Sequence, residues 1–136
     1  MDKERVLHLE PTYGTVNVVA GHQMNSASEN VDGATVFGGN DDPNVVSADF
    51  GTISGGHGNT VGGTTGTVGG GNNNEATGEN STIGGGLDNE ASEVFATVGG
   101  GCDNEASGLN STIDGGRGNA VSGLDATIPG GVANIA

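Results

Sequence analysis

The side chains whose spacing could do chemistry are carboxylates. Glu75, Glu90 and Glu105 recur every fifteen residues, and Asp88 and Asp103 stand two residues before the last two of them. Carboxylates stacked about 5 Å apart repel by nearly 1 kcal/mol each even at the dielectric constant of water, so something must screen them. Bulk salt is one answer. Calcium is the other, because it takes carboxylate and carbonyl oxygens, and its candidate ligands would be Asp88, Glu90, Asp103 and Glu105. The run Gly84-Gly85-Gly86-Leu87-Asp88 is loosely like the calcium-binding nonapeptide repeats, but a fifteen-residue period without a regular Asp ladder argues against that family. Bulk salt is therefore the expected screen, and no cofactor is expected.

Other reactive types are sparse. Lys3 is the sole lysine, which excludes a phosphate-binding Gly-Lys loop and argues against a buried Schiff-base lysine. His8, His22 and His57 are scattered, and the abundance of Ser and Asp in turns gives no triad. Cys102 stands where Leu87 and Arg117 stand one repeat away, so it reads as a surface thiol. Threonines 35, 52, 67, 82, 97, 112 and 127 form a column that invites an ice-binding reading, yet there is one column only, without paired Thr-x-Thr. Asn80-Ser81-Thr82 and Asn110-Ser111-Thr112 match the N-glycosylation pattern because the repeat itself recurs. No catalytic residue is assigned, and the chain is not expected to be an enzyme.

The elements that position these residues follow from the period. From Thr52 onward the chain returns to one pattern every fifteen residues, at Thr52-Ile53, Thr67-Val68, Thr82-Ile83, Thr97-Val98, Thr112-Ile113 and Thr127-Ile128. Upstream, Val18-Val19 and Thr35-Val36 fit with coils of seventeen residues, the second carrying its extra length around Asp41-Asp42-Pro43. A Gly-Gly pair follows each Thr of the regular coils, and an Asn recurs at one register: Asn25, Asn44, Asn59, Asn74, Asn89, Asn104, Asn119 and Asn134. Fifteen residues is too short for a helix pair, whereas a β-branched dipeptide running into Gly-Gly suits a short strand and a tight turn. Strand alternation then places Ile53, Val68, Ile83, Val98, Ile113 and Ile128 inward and the Thr column outward. Ser81, Ala96, Ser111 and Ala126 fall beside that interior. The Asn column reads either as an amide ladder running between coils or as turn residues tolerating left-handed backbone.

The expectation is an all-β parallel solenoid of about eight coils covering residues 18–136, on the order of 40 Å long at the usual strand spacing. Residues 1–17 break the repeat and read as a docking segment or as a cap on the first coil. With 32% hydrophobic and 3% aromatic residues the chain has thin material for a conventional core. Stability is therefore expected from neighbour ladders and from association, for which a closed homotrimer is the economical form.

Seventeen acidic residues against Lys3, Arg5 and Arg117 give a net charge of −14, which argues against a phosphate-tracking surface and hence against nucleic acid. It suits a halophilic setting, where salt screens self-repulsion. No apolar run approaches the roughly 20 residues of a membrane span, and Met1-Asp2-Lys3-Glu4-Arg5 has no apolar export core.

The units Thr82-Ile83-Gly84-Gly85-Gly86-Leu87-Asp88-Asn89-Glu90-Ala91-Ser92 and Thr97-Val98-Gly99-Gly100-Gly101-Cys102-Asp103-Asn104-Glu105-Ala106-Ser107-Gly108 resemble the head repeats of YadA-like trimeric autotransporter adhesins. The resemblance covers roughly residues 18–136 and implies a left-handed parallel β-roll packed as a trimer. Similar rolls occur in fibres of tailed viruses, which need no export signal. The expected function is a structural spike, fibre or decoration protein on a virion surface, from a tailed virus of a halophilic host, joined to other virion proteins through residues 1–17 and contacting a host surface receptor. The alternatives are a cell-surface adhesin head and a calcium-dependent binding module.

Overall fold

The computed structural model describes residues 7–10 and 14–136. Among them there is no helix, and the strands form two parallel stacks that wind as one solenoid. The first sheet stacks Asn17–Ala20, Thr35–Val36, Thr52–Ile53, Thr67–Val68, Thr82–Ile83, Thr97–Val98, Thr112–Ile113 and Thr127–Ile128. The second stacks Ser26–Ala27, Val45–Val46, Thr60–Val61, Glu75–Ala76, Glu90–Ala91, Glu105–Ala106 and Ala120–Val121. A third ladder of single bridges joins His57, Asn72, Leu87, Cys102, Arg117 and Val132. Each parallel rung pairs with the equivalent repeat position of the next coil, Thr82 with Thr97 and Ile83 with Val98, so the sequence period is the register. The count is about seven turns where eight were expected, because the eight parallel rungs of the first sheet bound only seven intervals.

The strand Leu7–Glu10 departs from this order. It lies antiparallel on Asn17–Ala20, with Leu7 opposite Ala20 and Glu10 opposite Asn17, and so covers the edge of the first rung. An uncovered edge would present a row of free N–H and C=O groups to other chains. Lys3, Arg5, Val6 and Tyr13 of the expected docking or capping segment lie outside the described residues.

The core is a single file. Val19, Val36, Ile53, Val68, Ile83, Val98, Ile113 and Ile128 point inward from the first sheet and are buried. Val46, Val61, Ala76, Ala91, Ala106 and Val121 meet them from the second. The column beside them is restricted to small side chains, with Ser81, Ala96 and Ser111 buried and Ala126 partly so. In that column Ser81 Oγ and Ser111 Oγ are buried without a hydrogen-bond partner. An unsatisfied buried hydroxyl costs about 1–3 kcal/mol. Since Ala96 and Ala126 serve the same position, Ser81→Ala is expected to stabilise the fold by about 1 kcal/mol. Chemical denaturation reads this as a raised midpoint, and a lowered midpoint would show that the hydroxyl is satisfied.

Candidate functional site

The Asn column is the most organised polar feature of the molecule. Asn44, Asn59, Asn74, Asn89, Asn104 and Asn119 are buried, and each Nδ2 from Asn59 to Asn134 donates to Oδ1 of the Asn one coil earlier at 2.9–3.1 Å. The same Oδ1 atoms accept the backbone N–H of the following Asn, so both lone pairs are used. Each interior Nδ2 also reaches two glycine carbonyls. For Asn89 these are Gly85 in its own coil and Gly101 in the next, at 3.1 and 3.0 Å. Asn25 and Asn44 begin the column differently, since Asn44 Nδ2 turns to the carbonyls of Phe37 and Gly56 and only its backbone N–H meets Asn25 Oδ1.

The left-handed backbone that Asn tolerates well occurs one residue before the ladder, at Asn73, Asp88 and Asp103, and at a second corner running through Phe50, Thr65, Asn80, Phe95, Asn110 and Asp125. Asn80 and Asn110, the glycosylation-pattern residues, thus sit on an outer corner with φ of +58° and +55°. Asn80 Oδ1 accepts from Thr65 Oγ1, and Asn110 Nδ2 donates to Asp125 Oδ1 at 2.9 Å. One buried amide lies outside the recognised column. Asn17 accepts from Ala34 N–H and donates to Val31 O, doing for the first coil what the ladder does for later ones. Its signal in the sequence was a polar residue directly before Val18-Val19, where later coils carry a small residue.

The carboxylates are arranged on the outside. Glu75, Glu90 and Glu105 are exposed and directly in register on the second sheet, while Asp88 and Asp103 project from the adjoining corner. Among the described residues, no three His, Cys, Asp or Glu side chains gather closely enough to hold a metal ion. Like charges opposite one another on adjacent strands are destabilising. Glu90→Gln relieves two such pairings and is expected to raise stability by roughly 0.5–1 kcal/mol in 10 mM salt. In 1 M salt, where the Debye length falls to about 3 Å, the gain should vanish. A gain that persists unchanged at high salt would assign the effect to strand propensity instead.

Cys102 Sγ donates to Asp103 Oδ2 at 3.1 Å. That bond first, then desolvation and the negative charges of Asp103 and Asp88, hold the thiol above its ordinary pKa and keep it protonated at neutral pH. The Thr column lines the outer face of the first sheet, as a single row. His22 and His57 line one open surface depression with Asp41 and Asp42, whereas His8 lies on the N-terminal strand near Glu10. No protein-family model matches the chain, and no curated protein matches it.

Proposed function

We propose that this chain is the repeat domain of a homotrimeric structural spike, fibre or decoration protein on a virion surface, a left-handed β-roll whose outward residues face the host. The observation that carries the reading is the uniformity of the rod. Coil after coil repeats the same buried pair of strands and the same amide ladder, and nearly all positional freedom is left to outward residues. That distribution suits a rigid spacer better than an enclosed active site.

Association is supported by what the single file leaves uncovered. Phe95, Leu109 and Leu124 stand exposed at one corner on consecutive coils, and Phe50 stands on the same corner nearer the N-terminal end. Phe50 and Phe95 adopt φ of +58° and +59°, a conformation that costs a bulky side chain free energy and that persists where it serves a purpose. Apolar side chains displayed on successive rungs are suited to meet their own copies across a closed symmetry axis, because like meets like at one height. The net charge of −14 opposes that meeting until salt screens it.

Light scattering tests the reading. The expected result is a mass three times the 13.2 kDa chain in molar salt, with dissociation as salt is diluted to the millimolar range. A monomer at every salt concentration would overturn the trimer and leave a single-chain solenoid.

A further inference from the structure

Where each regular coil leaves the first sheet, one peptide group is unbonded. Neither the carbonyl of Ser54, Gly69, Gly84, Gly99 or Asp114 nor the N–H of the glycine after it meets a hydrogen-bond partner among the described residues. In the first four coils the residue before that glycine is Ser or Gly, which offers no electrophile. In the fifth it is Asp114, whose side chain is exposed and whose carboxyl carbon can close a five-membered ring with the Gly115 nitrogen.

The fold leaves that ring free to close. Closure turns the Asp114–Gly115 peptide plane about the Asp114 Cα–C bond, and a plane bonded on neither side turns without breaking a hydrogen bond. Gly115 is not in the left-handed region, and a Cβ built on it would find its nearest neighbour, the Gly100 carbonyl oxygen, at 3.9 Å. Asp114 is anchored through its own N–H, which donates to Ile128 O at 3.0 Å and takes no part in the ring. The chain's other Asp-Gly pair is held. Asp32 O accepts from Phe50 N–H at 2.8 Å, its carboxylate lies against Gly14, and Gly33, at φ +70°, is hemmed in by the Phe50 ring and Thr15 Oγ1. The amides after Asn80 and Asn110 are held as well, since Ser81 and Ser111 N–H donate to the carbonyls of Gly78 and Gly108 at 3.1 Å.

We propose that Asp114 is a site of spontaneous isoaspartate formation, the one Asp-Gly pair that the fold leaves open. The Gly115 amide nitrogen attacks Asp114 Cγ and forms the N–Cγ bond, while the carboxyl hydroxyl leaves as water with the proton that the nitrogen gives up. Water then adds to the main-chain carbonyl of the cyclic imide and the bond from that carbonyl to nitrogen breaks. The chain now continues through Cγ, and the former main-chain carbonyl is a free carboxylate. No oxidant or cofactor enters, and mass and net charge are unchanged. The main chain becomes one methylene longer between the inward Ile113 and Asn119, whose Nδ2 donates to Gly115 O at 3.0 Å. The core file and the amide ladder then lose their common register in this coil, which loosens the rod from Asp114 onward. All the reacting atoms belong to one chain, so the inference stands apart from the homotrimer.

The test is incubation of the folded full chain for weeks at neutral pH, followed by proteolysis and electron-transfer mass spectrometry, which distinguishes isoaspartate from aspartate. Isoaspartate is expected at Asp114, formed more slowly on the order of tenfold in Gly115→Ala, whose methyl group shields the attacking nitrogen. The open surroundings of Gly115 let that variant keep the fold. Asp114→Glu, which would need a six-membered ring, is the second variant and should give no isomer at this position. The same chain unfolded in urea is the reference, in which both Asp-Gly pairs should isomerise alike. Absence of isoaspartate at Asp114 in the folded chain, when the urea reference forms it, overturns the proposal. Equal rates at Asp32 and Asp114 in the folded chain also overturn it, because the fold would then select neither.

Discussion

Gly86→Ala is expected to cost about 4 kcal/mol or more, whereas Gly55→Ala, at the first glycine of an earlier pair, should be neutral or stabilising by up to about 1 kcal/mol. The difference lies in what a methyl group meets. At Gly86 the backbone has φ +105°, and an added Cβ would stand against the carbonyl oxygen of Gly101 and 2.7 Å from Asn89 Nδ2. That carbonyl accepts from Leu87 N–H and from Asn89 Nδ2, so moving it breaks the bridge ladder and the amide ladder together. Each buried group left unsatisfied costs about 1–3 kcal/mol, on top of strained left-handed backbone. At Gly55 nothing lies within 4 Å and φ is not positive, so alanine only restricts the unfolded chain. Gly85→Ala falls between, for its Cβ is free to 3.8 Å but φ is +153°, a region that L residues avoid at about 1–3 kcal/mol. Urea denaturation followed by circular dichroism orders the three variants, and equal losses at Gly55 and Gly86 would show that the pair acts as a flexible turn.

This gradation marks the boundary of what the sequence disclosed. The period placed Ile83 inside, Thr82 outside and Asn89 on the same inward face as Ala91, because alternation along a strand and stacking between coils follow from spacing alone. It could not separate Gly85 from Gly86, since both are glycine in every regular coil and their reasons differ in three dimensions. Nor did composition reveal that the left-handed corners would be borne by Phe50, Thr65 and Phe95, residues with low tolerance for that backbone, which are held there by the stacked turns on either side. The antiparallel strand Leu7–Glu10 was hidden because it obeys no repeat and is fixed only by its partner. The approach of Asp42 and Asn73 to Gly58 from the two neighbouring coils was hidden for a related reason. Those residues are far apart along the chain, and the longer coil shifts the loop relative to the columns that follow. Column residues were legible because each is a copy of its neighbours; side chains in the insertion were not, because each is unique.

Asn89→Ala is expected to destabilise the rod by roughly 3–6 kcal/mol, and its sister replacement Asn134→Ala by about 1 kcal/mol. Asn89 sits mid-ladder. Its removal leaves Asn104 Nδ2 and Asn104 N–H without their shared acceptor in the interior, and takes a donor from buried Asn74 Oδ1 and from the part-buried carbonyls of Gly85 and Gly101. Asn134 is exposed and donates only to Asn119 Oδ1 and Gly130 O, groups that water can serve once the amide is gone. Asn89→Asp separates hydrogen bonding from shape. The carboxylate keeps an acceptor for Asn104 but loses the donor, and it buries a charge that faces the oxygen of Asn74, so its folded pKa must rise above the unfolded value of about 3.9. A raised carboxyl pKa penalises the folded state above that folded pKa, and the penalty fades as pH falls toward the unfolded value. The gap between Asn89→Asp and the parent chain should therefore narrow on acidification from pH 7 to pH 4, while the gap for Asn89→Ala stays constant. Denaturation midpoints at the two pH values decide it. A pH-independent gap for both variants would mean that the column holds the rod by packing, and that the amide bonds contribute little to its stability.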